Sequence, residues 1–388
     1  MDFRLGEKSD ILRKEAQEFL REVLTPEMLE QCYQTGVQHD PAFTQAMREK
    51  GWLAPGWPVE YGGQGRDPLE VLALSEEMAR AGAPTYGIGT TMMIAWVINT
   101  VGTEEQKREI LPKALAGEIV IALGFTEPEN GSDAAAAQTR AVRSGDGWTI
   151  SGSKMFTTNA HISDYVFMLA RTDPEAPKHR GLTTFLVPLD QPGVEVQPVY
   201  TLSGERTNIT FYNDVFVSDK WRLGDVDGGW RVMGVAFEKE HASGFVGEQE
   251  RLLANVETWA REATNDDGRP RIEEAGVRER MGRAATEIEV SRLLQRRAAW
   301  MAAIGEIAHA KGSMSKLFSS ERLERQAADF VEMLGPDGVR AWGDPTTPAG
   351  GEIEHALRHS KGTTIYAGTS EIQRNIIAQH GLGLPRAK

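Results

Sequence analysis

Three short segments of the sequence combine residue types that could hold an anionic or aromatic ligand. Residues 123–133 are dense in Gly, Thr, Ser and backbone N–H groups, which suits a polar, anionic cofactor. Residues 152–159 set Phe156 beside hydroxyl groups at a strand end, where its ring could stack on a flat heterocycle. Residues 365–374 begin a helix with a Thr-Ser cap, whose free N–H groups could bind an anion or a carbonyl oxygen. Each segment alone also fits an ordinary turn, strand end or capped helix.

Several common catalytic motifs are absent from the sequence. It contains no Walker A, His-Glu-x-x-His, Cys-x-x-Cys or Gly-x-Ser-x-Gly motif. His355 and His359 are one helical turn apart and could bind a metal, but no third ligand is nearby in sequence, which favours an exposed helix face. Zinc-hydrolase and serine-hydrolase functions are therefore disfavoured, and no metal site is predicted.

The composition is typical of a globular enzyme. Hydrophobic residues make up 40% of the 388 residues, which excludes an intrinsically disordered chain. The 43 Lys and Arg against 56 Asp and Glu give a net charge of −13, which disfavours sequence-independent binding to nucleic acid. Cys32 is the only cysteine, no apolar run is long enough to span a bilayer, and residues 1–7 show no signal-peptide pattern. We therefore expect a cytoplasmic protein with no membrane partner.

The first two thirds of the chain divide into a helical part and a strand-rich part. Asp40 and Asp67 are each followed by proline, which is typical of a helix start, so residues 1–120 are predicted to form an N-terminal helical domain. Residues 121–230 hold short runs rich in Val, Ile, Thr, Phe and Tyr between turn residues, at 148–156, 165–171, 182–189, 194–199 and 209–217. Their spacing predicts a middle domain with an antiparallel β-barrel or sandwich, and no alternating helices indicate a Rossmann fold.

Helical periodicity returns in the last third of the chain. The predicted helices span 231–262, 275–308, 311–334 and 352–381. Four long helices with short connections predict an antiparallel bundle over residues 231–388. The predicted fold class is therefore α+β, with an N-terminal helical domain, a middle β domain and a C-terminal four-helix bundle.

The joint occurrence of these motifs in this order resembles the acyl-CoA dehydrogenase family. The resemblance covers nearly the whole chain and is highly specific. It rests on Trp57-Pro58-x-Glu60-Tyr61-Gly62-Gly63-Gln64-Gly65, Thr126-Glu127-Pro128 continuing to Gly131-Ser132-Asp133, Lys154-Met155-Phe156 with Thr158-Asn159, and Gly368-Thr369-Ser370-Glu371-Ile372-Gln373-Arg374.

The resemblance implies a tetrameric flavoprotein that oxidises acyl-CoA thioesters to 2,3-enoyl-CoA. The implied residues along the isoalloxazine ring of FAD are Phe125, Thr126, Phe156 and Thr158. The resemblance also implies that Thr369 and Glu371 contact the ribityl–diphosphate part of FAD. It places Ser132 near the pantetheine arm of CoA and Gly335 near the adenosine half of the FAD of a neighbouring subunit. In this family a carboxylate removes the α-proton while the β-hydride moves to flavin N5, and a backbone N–H polarises the thioester carbonyl.

One departure from the family pattern concerns the catalytic base. Many members carry a glutamate immediately before Gly368, where this chain has Ala367, whose N–H could still polarise the thioester. A branch that includes enzymes resembling isovaleryl-CoA dehydrogenase puts the base on an earlier helix, and Glu240 falls at that position. The resemblance thus implies Glu240 as the base. The remaining implied substrate-binding residues are Phe237, His241, Gly244, Ala367 and Gly368.

Two glycines after Glu240 bear on the size of the acyl group. Gly244 and Gly247 follow it at i+4 and i+7, so a continuous helix would put them on its face. Glycine inside a helix costs about 1 kcal/mol relative to alanine, so a packing or cavity reason is expected. Room for a bulky acyl group and close helix packing are equally supported.

Two further departures point to a particular branch of the family. His241 stands where relatives usually have arginine, and the loop at 266–271 replaces an Arg-x-x-Phe-Gly segment used against FAD phosphates. Arg269 or Arg271 could substitute. This loop and the ending at 381–386 resemble actinobacterial enzymes for steroid side chains, some of which are heterotetramers of two family members with one base-carrying chain.

The sequence therefore leaves three functions open. The leading one is an FAD-dependent dehydrogenase of a branched, cyclic or steroid-derived acyl-CoA, with Glu240 as base and an electron-transfer flavoprotein as acceptor, in a homo- or heterotetramer. The second is a non-catalytic partner subunit that completes another chain's FAD site, favoured by Ala367 and His241 and opposed by Glu240. The third is a flavin oxidase or nitroalkane oxidase on the same fold.

Overall fold

The computed structural model describes residues 4–240, 244–306 and 309–385, with the side chains of residues 238–240 and 309 excepted. The chain divides into two compact units. The sheet unit comprises residues 23–66 and 84–240, and the helical unit comprises the described residues of 1–22, 67–83 and 241–388. The sequence-based domain boundaries at residues 120 and 230 stay a prediction.

The described residues form twelve α-helices and eight β-strands. The helices are α1 (Glu7–Val23), α2 (Pro26–Thr35), α3 (Pro41–Glu49), α4 (Pro68–Ala81), α5 (Tyr86–Val101), α6 (Glu104–Leu115), α7 (Gly229–Glu240), α8 (Val246–Glu262), α9 (Ala275–Ala303), α10 (His309–Leu334), α11 (Glu352–Thr363) and α12 (Ser370–Ile376). The strands are β1 (Ile121–Gly124), β2 (Arg140–Ser144), β3 (Gly147–Lys154), β4 (Tyr165–Arg171), β5 (Leu182–Pro188), β6 (Val194–Tyr200), β7 (Arg206–Ser218) and β8 (Arg222–Leu223).

Side-chain caps start the helices where the sequence predicts them. The carboxylate of Asp40 accepts a hydrogen bond from Phe43 N at 2.8 Å at the start of α3. Asp67 and Glu70 form a capping box at the start of α4. These caps satisfy N–H groups that have no partner inside the helix, and they confirm the predicted starts.

The sheet unit is built around one mixed β-sheet. Its strand order is β6-β7-β3-β2-β4-β5-β8, and β1 pairs with β4. All five predicted strands are present, and most pairings in the sheet are antiparallel as predicted, whereas β1 and β4 pair in parallel. The sequence gives little sign of β1, since its four residues are too short and too uniformly apolar to display an alternating pattern.

Two of the four predicted C-terminal helices are interrupted. The predicted helix 231–262 is wrong, since α7 ends at Glu240 and Gly244 and Phe245 are not helical. The predicted helix 352–381 is also wrong, because Ala367 and Gly368 take left-handed φ values of 53° and 81° between α11 and α12. Both breaks fall on segments predicted to carry chemistry.

Each unit has its own apolar core. In the sheet unit the core surrounds β4 and β5, where nearly every side chain is buried. In the helical unit it lies among α8, α9 and α10 and includes Leu252, Val256, Leu323 and Phe330. These cores fix the strand ends and turns that carry the candidate site.

Candidate active site

The first candidate segment leaves β1 at the margin of the sheet-unit core. Phe125 is half-buried, and its ring packs edge-on against Phe167 of β4, with 5.6 Å between ring centroids. The carbonyl oxygen of Thr126 accepts a hydrogen bond from Met155 N at 2.8 Å. This bond fixes Thr126 beside the segment that follows β3.

The second candidate segment turns sharply after β3. Phe156 has a left-handed φ of 58°, a conformation that costs free energy in residues other than glycine. The turn is held by Thr157, whose N–H donates to Asn208 O at 2.8 Å, and by Thr158, whose hydroxyl lies 3.0 Å from Thr207 Oγ1. Phe156 remains 54% exposed, so one ring face is available to stack on a planar ligand.

The structure thus brings two of the predicted segments together within the sheet unit. Phe125 and Thr126 lie about 30 positions before Phe156 in sequence, and the Thr126–Met155 bond makes the two segments neighbours. Ser132 lies on an exposed turn of the first segment, next to Asp133, which forms an ion pair with Lys178 at 2.7 Å. The aromatic ring and the hydroxyl groups predicted to line a flavin therefore occur in one place.

Helix α7 connects the predicted base to the first segment. The ring of Phe237 packs edge-on against Phe125, with 6.2 Å between centroids, and also against Trp230. Glu240 is the last residue of α7 and lies three positions after Phe237, on the same helix face. The side chain of Glu240 and the whole of His241 lie outside the described residues.

In the helical unit, the turn before α12 is held by two side chains. Lys316 Nζ donates to Gly368 O at 2.7 Å, and Gln373 Nε2 donates to Ala367 O at 2.8 Å. Thr369 caps α12 by accepting a hydrogen bond from Ile372 N. Within the described residues the N–H of Ala367 donates no hydrogen bond, so it is available to a carbonyl oxygen.

A groove of about 500 Å³ lies beside this turn in the helical unit. Thr369 and Glu371, both predicted to contact the cofactor, line it together with Arg322, Arg325 and Arg374. Glu321 and Glu324 also line it, and Arg374 pairs with Glu321, so the groove is polar and carries carboxylates and guanidinium groups in equal number.

Each unit by itself offers groups that suit a part of FAD. Arg322 Nε is buried and has no hydrogen-bond partner among the described residues, which leaves a donor for an anionic ligand. The pKa of Glu371 is lowered by hydrogen bonds from its own backbone N–H and from Thr369, so the carboxylate suits ribityl hydroxyls better than phosphates. The exposed ring of Phe156 in the sheet unit suits the isoalloxazine.

The two glycines after the predicted base have different surroundings. A Cβ on Gly247 would lie 2.5 Å from Ala79 Cβ of α4, so this glycine allows α4 and α8 to approach closely. A Cβ on Gly244 would lie 3.1 Å from Ser315 Oγ. The helix that would have put both glycines on the face of Glu240 is interrupted. Close packing of α4 and α8 therefore explains Gly247, whereas room for an acyl group does not explain it.

Other predicted residues lie at turns that are partly or fully exposed. Gly335 has a left-handed φ of 61° and opens the turn after α10. Arg269 and Arg271 each form a local ion pair, with Asp267 at 3.0 Å and with Glu274 at 3.3 Å.

Neither a metal site nor a membrane span emerges from the described part of the chain. The rings of His355 and His359 stack with 6.1 Å between centroids. Across residues 4–240, 244–306 and 309–385, no group of three His, Cys, Asp or Glu residues could hold a metal ion. No helix in these ranges is long and apolar enough to cross a membrane.

Local sequence patterns do not reveal which residues anchor these segments. Lys154 is fully buried against Glu127, and Lys316 is fully buried beside Gly368. Both lysines fall at inward positions of their elements, where a charged residue signals a buried partner. Gln373 was noted only as part of a motif.

The chain belongs to the acyl-CoA dehydrogenase family. The family's N-terminal, middle and C-terminal domain models match residues 6–118, 122–215 and 227–382. It is therefore an oxidoreductase of a family of FAD flavoproteins, as the resemblance implies.

Similar proteins indicate which branch of the family this chain resembles. Acyl-CoA dehydrogenase FadE26 of Mycobacterium tuberculosis is 34% identical over 97% of both chains, and FadE29 of the same organism is 32% identical over 97% of this chain and 96% of the relative. A solved structure described as the Tcur3481-Tcur3483 steroid ACAD superposes with a TM-score of 0.90 at 33% identity, covering both chains completely. The ChsE4-ChsE5 complex from Mycobacterium tuberculosis superposes with a TM-score of 0.90 at 31% identity, with the same coverage.

Proposed function

We propose that this chain dehydrogenates a branched, cyclic or steroid-derived acyl-CoA at its α,β bond, with Glu240 as the base that removes the α-proton. We further propose that an electron-transfer flavoprotein receives the electrons. The single observation that carries the assignment of Glu240 is the contact between Phe237 and Phe125. It supports the proposal because Phe237 shares a face of α7 with residue 240 and packs on the segment expected to line the flavin.

Each implied residue has a chemical task. The N–H of Ala367 would donate to the thioester carbonyl, where negative charge develops as the α-proton leaves. Glu240 would accept that proton, and Phe237 would help to exclude water, which raises the pKa of a carboxylate toward the working pH. FAD, when bound, supplies the acceptor for the β-hydride.

The proposed acyl class rests on the relatives. The words "steroid ACAD" describe one structure that is 33% identical to this chain over its full length. In this chain Ala367 leaves the position before Gly368 without a carboxylate, which agrees with a branch that carries the base on an earlier helix.

Replacing Glu240 tests the proposed base. Glu240→Gln should slow anaerobic flavin reduction by acyl-CoA by about 100-fold to 10,000-fold, because general-base catalysis contributes that much. The flavin spectrum should stay that of the wild type. Glu238→Gln, which removes a carboxylate two positions earlier on the same helix, is the matched control and should reduce normally. An unchanged rate for Glu240→Gln would contradict the assignment.

A second function, that of a non-catalytic partner subunit, is favoured by a specific observation. Two solved structures that match the whole chain are described as pairs of different proteins, Tcur3481-Tcur3483 and ChsE4-ChsE5. Co-purification with a second family member would support a heterotetramer for this chain. If Glu240→Gln then leaves the turnover of that complex intact, this chain is the structural subunit.

A further inference from the structure

The sheet unit contains a buried ion pair beside both flavin-lining segments. Lys154 is the last residue of β3 and has no exposed surface, and Glu127 is 6% exposed. Lys154 Nζ donates to Glu127 Oε1 at 2.7 Å and to Leu169 O of β4 at 2.6 Å. The ammonium therefore joins the first segment to two neighbouring parts of the sheet.

The carboxylate of Glu127 is held by further donors. It accepts hydrogen bonds from Gln138 N at 2.7 Å, from Thr139 N at 2.9 Å and from Asn130 Nδ2 at 3.1 Å. Glu127 thereby closes the loop from residue 127 to residue 139. Thr139 also donates through its hydroxyl to Ser153 O at 3.2 Å, one residue before Lys154.

The charge states of the pair agree with this geometry. Burial acts to raise the pKa of Glu127, but Lys154 and the backbone donors outweigh it, so the pKa is lowered and the carboxylate stays ionised. Burial lowers the pKa of Lys154, and the attraction of Glu127 partly offsets that effect. Desolvation makes a buried pair a poor source of stability, so holding a specific backbone arrangement is a better account of it.

The residues next to the pair are those expected to touch the flavin. Thr126 directly precedes Glu127, and Phe156 follows Lys154 by two positions. Phe156 needs restraint because its left-handed backbone is unfavourable. Gly124, two positions before Thr126, allows a close approach to β4, since a Cβ there would lie 2.8 Å from Val166 Cγ2.

We infer that Lys154 and Glu127 are positioning residues that set the spacing of the two flavin-lining segments. Both would act through Thr126 and Phe156, their neighbours in the chain. The inference rests on the use of FAD in the proposed function, and it does not depend on the acyl group or on the identity of the base.

The test uses the full-length chain, with any subunit that co-purifies with it. Lys154→Met keeps the stem and removes the charge, and Glu127→Gln removes the opposite charge. Each should weaken FAD binding to the apoprotein by about tenfold or more and alter the visible flavin spectrum. The reason is that the two segments would shift and their side chains would no longer be aligned with the isoalloxazine ring. The double variant, which carries no uncompensated charge, should recover part of the affinity.

Val215→Ala is the control for simple loss of stability. Val215 is fully buried on β7, and its truncation should lower the melting temperature without changing the FAD dissociation constant. If Lys154→Met also lowers only the melting temperature, the inference is overturned. It is equally overturned if the wild-type protein does not bind FAD. If FAD affinity falls as expected while no acyl-CoA reduces the wild-type flavin, the proposed substrate fails and the inference stands.

Discussion

Lys154 in the sheet unit and Lys316 in the helical unit are both fully buried, yet they hold their segments differently. Lys154 bonds to a carboxylate, and that carboxylate organises a loop through three further hydrogen bonds. Lys316 bonds directly to Gly368 O in the turn that presents Thr369. In the sheet unit the charge acts through a network, whereas in the helical unit it acts on the backbone of the functional turn itself.

This difference indicates where each unit is sensitive to substitution. A network can redistribute after one bond is lost, since Glu127 would keep its backbone donors. The turn at Ala367 and Gly368 has two side-chain donors for two adjacent carbonyls, and both residues are left-handed. We therefore expect the turn in the helical unit to tolerate the loss of one hydrogen bond less well than the network in the sheet unit does.

Among substitutions of the two buried lysines, the largest expected effect comes from Lys316→Met. Gly368 O would keep only a long bond of 3.4 Å from Gln373 Nε2, so the turn would shift and displace the Ala367 N–H that we propose as donor to the thioester oxygen. A displacement of about 1 Å at a reacting group can cost about 100-fold in rate, so we expect a loss of that order in anaerobic flavin reduction.

Lys361→Met is the control for Lys316→Met. Lys361 is a half-exposed lysine of α11 that pairs with Glu324, and its loss should change the rate little. A Lys316→Met protein that reduces its flavin at the wild-type rate would show that Gln373 alone holds the turn.

A smaller effect, on stability, is expected from the glycines of the helical unit. Gly247→Ala should lower the free energy of unfolding by about 2 kcal/mol, because the new Cβ would overlap Ala79 and Arg80 N. In Gly282→Ala, within α9, the new Cβ would meet nothing within 4 Å, so this variant should gain up to about 1 kcal/mol. Chemical denaturation of both variants measures the contrast. Equal shifts would mean that close packing of α4 and α8 is not the reason for Gly247.

The smallest effect concerns acid stability of the sheet unit. Burial, with a contribution from Arg206, lowers the pKa of His161 from 6.5 to about 4, and His161 Nδ1 lies 3.3 Å from Asn208 Nδ2. As the pH falls, the unfolded chain takes up this proton first, so the stability due to neutral His161 declines below about pH 6.5 and is lost below about pH 4. Melting temperatures across that range should fall less steeply for His161→Gln than for the wild type. Parallel curves would refute a role for His161.

Local chemistry made much of the fold predictable from the sequence. Asp40 and Asp67 indicate helix starts because their side chains accept hydrogen bonds from free N–H groups within the next turn. The five predicted strands are detectable because runs of Val, Ile, Thr, Phe and Tyr between turn residues are visible over six or more positions.

The features that the sequence does not predict depend on contacts between residues that are distant in sequence. The break at Gly244 and Phe245 occurs inside a continuous helical pattern, where Gly244 is a weak sequence sign of it. The partners of Lys154 and Lys316 lie 27 and 52 positions away, so no local pattern reveals them. Inward-facing lysines in otherwise apolar faces were the available signal, and they predict a buried partner without naming it.

The most direct test of the account is a visible spectrum of the purified protein during anaerobic addition of acyl-CoAs, from short linear to steroid-derived chains. We predict an oxidised-flavin spectrum that bleaches with a branched, cyclic or steroid-derived thioester, and more slowly with short linear ones. A protein without flavin, or a flavin that no acyl-CoA bleaches, would contradict the proposed activity and favour the partner-subunit role.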